Sequence, residues 1–108
     1  MEKAPLYRFK LKLDTRNIDV CEITEYTNFT ALDGTLYYKY KRKSSYRYCK
    51  VANLDICSSN TVYSFNPDIE NAKHIFYNFY SKKRDVYYAK IEKLNRILID
   101  IDAISGTW

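Results

Sequence analysis

The sequence predicts an α+β fold in which an antiparallel, meandering sheet of five or six strands precedes one long C-terminal helix. Three observations carry this prediction. Apolar and polar residues alternate over residues 6–13, as in a half-buried strand. Asp33-Gly34 lies between two β-rich runs and is typical of a hairpin turn. From residue 66 the apolar residues instead recur every three or four positions, as on one face of a helix. We expect a single domain over residues 1–108, with the sheet in 1–65 and the helix in 66–102.

The first predicted strand has one apolar and one basic face. Its alternation places Tyr7, Phe9, Leu11 and Leu13 toward the core and Arg8, Lys10 and Lys12 toward solvent. After a polar turn at residues 14–17, a second strand is predicted over residues 18–26. Its alternation slips between Val20 and Ile23, which predicts a β-bulge there.

The Asp33-Gly34 pair predicts a hairpin with a two-residue turn. Such a turn pairs Ala31 with Leu36 and Phe29 with Tyr38. All four side chains then share one face and suit a core. The hydrophobic pattern therefore agrees with the register that the turn predicts.

A second two-residue turn at Lys43-Ser44 divides the next hairpin into two faces. The face toward the core holds Leu36, Tyr38, Tyr40, Arg47, Cys49 and Val51. The opposite face, here called the outer face, carries three cross-strand tyrosine–lysine pairs, which are Tyr37 with Lys50, Lys39 with Tyr48, and Lys41 with Tyr46. Together with Arg42 and Lys43, these six residues are the candidate binding site. The alternative is an ordinary solvent face, because such pairs also stabilise a sheet.

The remaining strands and the start of the helix follow from local signals. We expect a short sheet segment at residues 54–57 and a last strand at residues 61–65. Asn66 suits the N-cap position of the helix, and Pro67 suits its first helical position.

The helical pattern is longer than a small sheet can cover, since thirty-odd residues span about 50 Å. We therefore expect the helix either to break near residues 81–85 or to pack its second half on a partner. The candidate interface is the apolar stripe Val86, Leu94, Ile97 and Ile101, and a homodimer would use it. Packing back on the sheet explains the stripe equally well.

The basic charge is concentrated in the middle third of the chain. The net charge is +5, and residues 34–66 carry six basic side chains against one acidic side chain. No acidic residue interrupts residues 36–50. Such a field attracts nucleic acid or an acidic protein surface. Tyrosine adds a ring for base stacking or a large contact area for a protein.

The sequence offers little for catalysis, a metal or a cofactor. It has one histidine, His74, three cysteines without C-x-x-C spacing, and no Gly-rich loop. Asp14, Asp19, Glu22 and Glu25 could gather along the first hairpin, but they fit a solvated strand face better. We therefore expect a non-enzymatic protein without metal or cofactor. A histidine-poor nuclease acting through Tyr, Lys and Arg is the alternative.

The chain is expected in the bacterial cytoplasm. No apolar run approaches the ~20 residues that a membrane helix needs, and residues 1–13 lack the continuous apolar core of a signal peptide. The abundance of Lys, Asn, Tyr, Ile and Phe indicates an A/T-rich genome.

This layout, with its last strand running through Val62-Tyr63-Ser64-Phe65 into a long charged helix, resembles small phage and prophage proteins of A/T-rich bacteria. That set includes anti-CRISPR and other anti-defence proteins. The resemblance implies an inhibitor that occupies the surface of a bacterial defence nucleoprotein. The alternative is direct binding of single-stranded DNA or RNA.

Overall fold

The computed structural model describes residues 3–104 and confirms the α+β class, with six strands followed by one long helix. The elements are β1 (Leu6–Lys12), β2 (Asn17–Ile23), β3 (Tyr26–Thr30), β4 (Leu36–Arg42), β5 (Ser45–Lys50), a 3-10 turn (Val51–Asn53), β6 (Thr61–Ser64) and α1 (Ile69–Asp102). The chain forms two compact units that divide within α1. The first runs to Tyr77 and the second starts at Asn78.

The six strands form two antiparallel sheets of three rather than one sheet. The first sheet has the order β2-β1-β6, so that β6 returns to pair with the first strand. The second sheet is the meander β3-β4-β5. The chain crosses from one sheet to the other at Thr24 and Glu25, and the strand predicted over residues 18–26 is therefore two strands.

The predicted bulge in β2 is absent, because β1 and β2 pair in an unbroken register from Leu6–Ile23 to Lys12–Asn17. The slip in the alternation has another cause. Leu6 and Phe9 lie on opposite faces of β1, and both are fully buried. Both faces of this sheet bury side chains. Apolar residues therefore occur at odd and at even positions along its strands.

The core between the two sheets is aromatic. Leu6 and Ile23 of the first sheet pack with Tyr40 of the second. The partly buried residues around them are Tyr26, Tyr38, Leu54, Tyr63 and Phe65. The hydroxyl groups of Tyr40 and Tyr63 lie 2.6 Å apart and join the two sheets by a hydrogen bond. Burial raises the pKa of Tyr40, and the hydrogen bond to Tyr63 raises it further.

The register predicted from Asp33-Gly34 is wrong by one residue. The Gly34 amide donates to the Ala31 carbonyl and the Ala31 amide donates to the Thr35 carbonyl, which closes a three-residue loop. Gly34 has φ 85°, as expected where a turn is followed by a left-handed glycine. Phe29 therefore pairs with Tyr37 instead of Tyr38. Its side chain lies on the outer face and not in the core, and Leu36 is also exposed.

The segment expected as a strand at residues 54–57 is irregular. It follows the 3-10 turn, and the Asp55 amide donates to the carbonyl of Tyr63 at 2.8 Å. The Asp55 carboxylate accepts a hydrogen bond from the buried Ser64 hydroxyl. This pair ties the connection to β6, and Cys57 is buried in it.

Helix α1 is continuous over 34 residues, without the break expected near residues 81–85. Its N-cap is Asp68 and not Asn66. The Asp68 side chain accepts from the Glu70 amide at 3.0 Å, and its carbonyl accepts from Ala72. Asn66 instead forms a turn by accepting from the Asp68 amide at 2.9 Å. In the first unit, the helix buries Ala72 and Phe76.

Candidate binding surface on the central hairpin

The structure brings the six outer-face residues together as the sequence predicts. Strands β4 and β5 pair Tyr37 with Lys50, Lys39 with Tyr48 and Lys41 with Tyr46 through the two-residue turn at Lys43-Ser44. Cross-strand partners lie on the same side of a sheet, so these pairs form one face. On the other side, Tyr40 and Cys49 are buried against the core. The hairpin therefore separates a packed aromatic side from an exposed one.

Phe29 extends the outer face into an aromatic cluster that sequence reasoning missed. Its ring centroid lies 6.2 Å from that of Tyr37 and 5.4 Å from that of Tyr48. Tyr37 and Tyr48 complete the triangle at 6.1 Å in an edge-to-face arrangement. Phe29 is 40% exposed and Tyr48 is 48% exposed, so the cluster presents ring surface to solvent. The signal in the sequence was the glycine of Asp33-Gly34, since a glycine that follows a turn also fits a three-residue loop.

Lys39 lies at the centre of this face and is held by the rings around it. Its ammonium group is 4.4 Å from the Tyr46 ring centroid and 6.0 Å from the centroids of Phe29 and Tyr48. Attraction between a cation and a ring face accounts for this position. The cation and the rings are therefore available to one ligand.

One carboxylate, that of Asp33, lies near Lys50 of the outer face. Asp33 lies in the neighbouring loop, where its side chain accepts a hydrogen bond from the Thr35 amide at 3.0 Å. That bond lowers the pKa of Asp33, and the charge of Lys50 lowers it further. Asp33 is thus held ionised beside Lys50, while Lys39 and Lys41 remain available to an external anion.

Two of the predicted site residues do not lie on the outer face. Lys43 is in the turn with φ 56°, and Arg42 follows the inward-facing Tyr40 by two positions. Arg42 consequently lies on the side of the hairpin that faces the other sheet. It lines a cavity there with residues of β1 and β2.

The four residues proposed as a helix interface, which are Val86, Leu94, Ile97 and Ile101, are all exposed. Another set of residues in the second unit forms a more regular apolar stripe. Tyr80, Tyr87, Ile91, Leu94, Leu98 and Ile101 follow coiled-coil spacing with Arg84 as the one charged position. The sequence alone also favours this second stripe, because the three-to-four spacing that includes Val86 and Ile97 also includes Lys83 and Lys90, whereas the second stripe includes neither lysine.

The candidate catalytic residues are not assembled. Asp14, Asp19, Glu22, Glu25 and His74 are all exposed. Over residues 3–104, no group of three or more His, Cys, Asp or Glu side chains could hold a metal ion. Within the same residues, α1 is not apolar enough to cross a membrane.

Comparison with known proteins gives no match to this chain. No protein-family model, no curated protein and no solved structure shows significant similarity to it.

Proposed function

We propose that the chain is a binding protein without enzymatic activity whose outer face contacts single-stranded nucleic acid, either free or within a bacterial nucleoprotein. The observation that supports it is the cluster of Phe29, Tyr37 and Tyr48 among lysines, in which Phe29 and Tyr48 are exposed. Proteins that bind single strands combine stacking rings with a positively charged track for the backbone.

The spacing of these groups suits a strand lying across the sheet. Phe29 and Tyr48 present ring surface on which a base can stack, and Lys41 and Lys50 lie at opposite ends of the row of cross-strand pairs. Stacking contributes about 1–3 kcal/mol per base, and every base has a ring face. We therefore expect binding that depends weakly on sequence and strongly on salt.

The second candidate is an anti-defence inhibitor, carried by a phage or mobile element and acting in the bacterial cytoplasm. Leu32 in the three-residue loop is fully exposed, and Tyr46 on the outer face is 57% exposed. Exposed apolar side chains next to tyrosines are typical of protein interfaces. In this role the outer face occupies the protein surface of a defence nucleoprotein and not its nucleic acid.

Salt dependence distinguishes the two candidates. Fluorescence anisotropy with labelled 15-nucleotide oligo(dT) and oligo(U) measures direct binding. If several phosphates are contacted, affinity should fall about tenfold or more between about 50 and 200 mM salt. Capture of bacterial proteins that survives nuclease treatment and changes little with salt, with no oligonucleotide binding, would favour the inhibitor.

We also propose that the second unit pairs with the same helix of a second copy. The stripe from Tyr87 to Ile101 presents large apolar side chains to solvent, and Leu94 at its centre is 60% exposed. The helix is basic at Lys82-Lys83-Arg84 and acidic at Asp100 and Asp102. An antiparallel arrangement sets each basic end against an acidic end, whereas a parallel one aligns like charges. A homodimer of antiparallel helices covers the apolar stripe and pairs the opposite charges at its ends.

A further inference from the structure

The two sheets of the first unit leave a cavity between them that is lined by basic side chains. It has a volume of about 280 Å³. Its charged lining consists of Arg8, Lys10 and Lys12 from β1, Asp19 from β2 and Arg42 from β4. These residues are here called the basic cleft. The sequence pattern had placed the three β1 residues on an ordinary solvent face.

The position of the basic cleft follows from the alternation along β1. Leu6, Arg8, Lys10 and Lys12 share one face of that strand. Leu6 is buried in the core between the sheets, so the basic residues that follow it lie on the side facing the second sheet. Arg42 approaches from that second sheet, two positions after Tyr40. The facing sides of the two sheets are therefore apolar at one end and cationic at the other.

Only part of this positive charge is neutralised by the protein. Asp19 accepts an ion pair from Lys12 at 2.8 Å. Among the residues that the structure describes, Arg8, Lys10 and Arg42 form no ion pair. The pKa of Lys12 is raised chiefly by its hydrogen bond to Asp19, and the nearby charge of Arg42 opposes that shift. Like charges thus converge on one concave surface, which concentrates the field toward an incoming anion.

We propose that the basic cleft binds phosphate groups. Two guanidinium groups provide the planar donor pairs that match phosphate oxygens, and Lys10 adds a point charge. The volume lies below the roughly 300–1,000 Å³ of pockets that enclose whole organic ligands, which favours a small anionic group over a complete cofactor. The phosphate is either that of a small phosphorylated compound or that of a nucleic-acid backbone.

A second cavity of about 230 Å³ adjoins the basic cleft, because Arg8 lines both. Its lining includes Tyr48 and Lys50 of the outer face together with Ser58 and Thr61. The two cavities therefore share one cationic side chain, that of Arg8. The cleft proposal does not depend on nucleic-acid binding by the outer face, although a strand could occupy both.

The test uses the full chain and two probes, inorganic pyrophosphate by calorimetry and labelled 15-nucleotide oligo(dT) by anisotropy. The cleft variant carries Lys10→Gln and Arg42→Gln. Its matched control carries Lys73→Gln and Lys93→Gln, which remove the same charge from exposed helix positions. The wild type should bind at least one probe, and the cleft variant should lose about tenfold or more of that affinity while the control changes less than about threefold.

The two probes identify the source of the phosphate. Pyrophosphate binding that is lost in the cleft variant indicates a small phosphorylated compound, and loss of oligo(dT) binding alone indicates a nucleic-acid backbone. Asp19→Asn should strengthen whichever probe binds, a gain that misfolding cannot mimic. Phe29→Ala should weaken oligo(dT) without affecting pyrophosphate, which separates the outer face from the cleft. The proposal is wrong if neither probe binds the wild type, or if cleft variant and control weaken equally.

Discussion

At the scale of single residues, the hydrogen bond between the Tyr40 and Tyr63 hydroxyls is the main polar link between the two sheets. Tyr40 is 4% exposed, and its hydroxyl lies 2.6 Å from that of Tyr63. Their rings also meet in an edge-to-face contact at 6.1 Å. The pair holds together the sheet that carries the basic cleft and the hairpin that carries the outer face.

Tyr40→Phe should lower the free energy of unfolding by about 1 kcal/mol, because it leaves the Tyr63 hydroxyl without its partner. Tyr40→Phe with Tyr63→Phe should cost less than the sum of the single changes, since neither hydroxyl is then left unsatisfied. Urea unfolding of the three variants measures this. Additive losses would show that the two hydroxyls do not interact.

Buried ionisable side chains determine how the stability of the fold responds to alkaline pH. Burial raises the pKa of the Cys49 thiol to about 11, from an ordinary value of 9.0, and the pKa of Tyr40 is raised as well. The folded protein therefore keeps these protons at a pH where the unfolded chain has released them. Stability should be unaffected by these groups below pH 9 and fall as pH rises from about 9 to 11.

Cys49→Ala tests the contribution of the thiol to this loss. The variant should be less stable than the wild type at neutral pH, because a buried side chain is truncated. Its stability should nevertheless fall less steeply between about pH 9 and 11, since the raised pKa of the thiol no longer contributes. Parallel slopes in urea unfolding across that range would contradict the assignment.

At the scale of elements, the β3–β4 hairpin depends on the left-handed conformation of Gly34. A Cβ added there would meet no atom within 4 Å, so the cost of Gly34→Ala is conformational and not steric. We expect a loss of about 1–2 kcal/mol. Gly34→Asn should cost less, because asparagine tolerates this region. Thermal unfolding of both variants decides the point, and equal losses would argue against a left-handed residue in the turn.

The second unit consists of one helix, and its apolar stripe leads to a prediction about mass. At about 100 μM the protein should have twice the 12.9 kDa of one chain by light scattering, because association depends on concentration. Leu94→Lys should return it to the mass of one chain. Ile99→Lys is the control, since Ile99 is equally apolar but about 140° around the helix from Leu94. A single-chain mass for the wild type, or dissociation by both variants, would rule out this interface.

At the scale of the whole molecule, the sequence was informative where one face of a strand is buried and misleading where both are. The β4–β5 hairpin has one packed and one exposed side, and its register and faces were predicted correctly. Strand β1 buries Leu6 on one side and Phe9 on the other, so alternation could not identify its faces. The division into two sheets arises from the pairing of β6 with β1, a long-range contact that no local pattern encodes.

The lengths of the two hairpin turns explain how much of the candidate surface was predictable. The six outer-face residues followed from one short turn. Phe29 was missed because a loop of three residues instead of two shifts the register by one and moves every side chain of β3 to the other face. Arg42 was added to the candidate site because it is close in sequence to the six residues. Its position in β4, two residues after Tyr40, instead places it near Lys12, in the basic cleft.

The basic residues in the middle of the chain lie on both sides of the β4–β5 hairpin. Lys39, Lys41 and Lys50 lie on one side of the hairpin, and Arg42 lies on the other. The hairpin therefore presents cations on both sides, with stacking rings only on the outer one. This arrangement is the basis for assigning binding to the outer face.

The most direct test of that claim is the affinity of labelled oligo(dT) for Lys39→Glu with Lys41→Glu, compared with Lys73→Glu with Lys93→Glu as a charge-matched control. The outer-face variant should lose binding while its unfolding free energy falls by no more than about 1 kcal/mol, because Lys41 is exposed and Lys39 loses only its contacts with ring faces. The control should keep most of its affinity. If wild type binds and the outer-face variant binds as tightly as the control, the outer face is only a solvated surface and binding lies elsewhere.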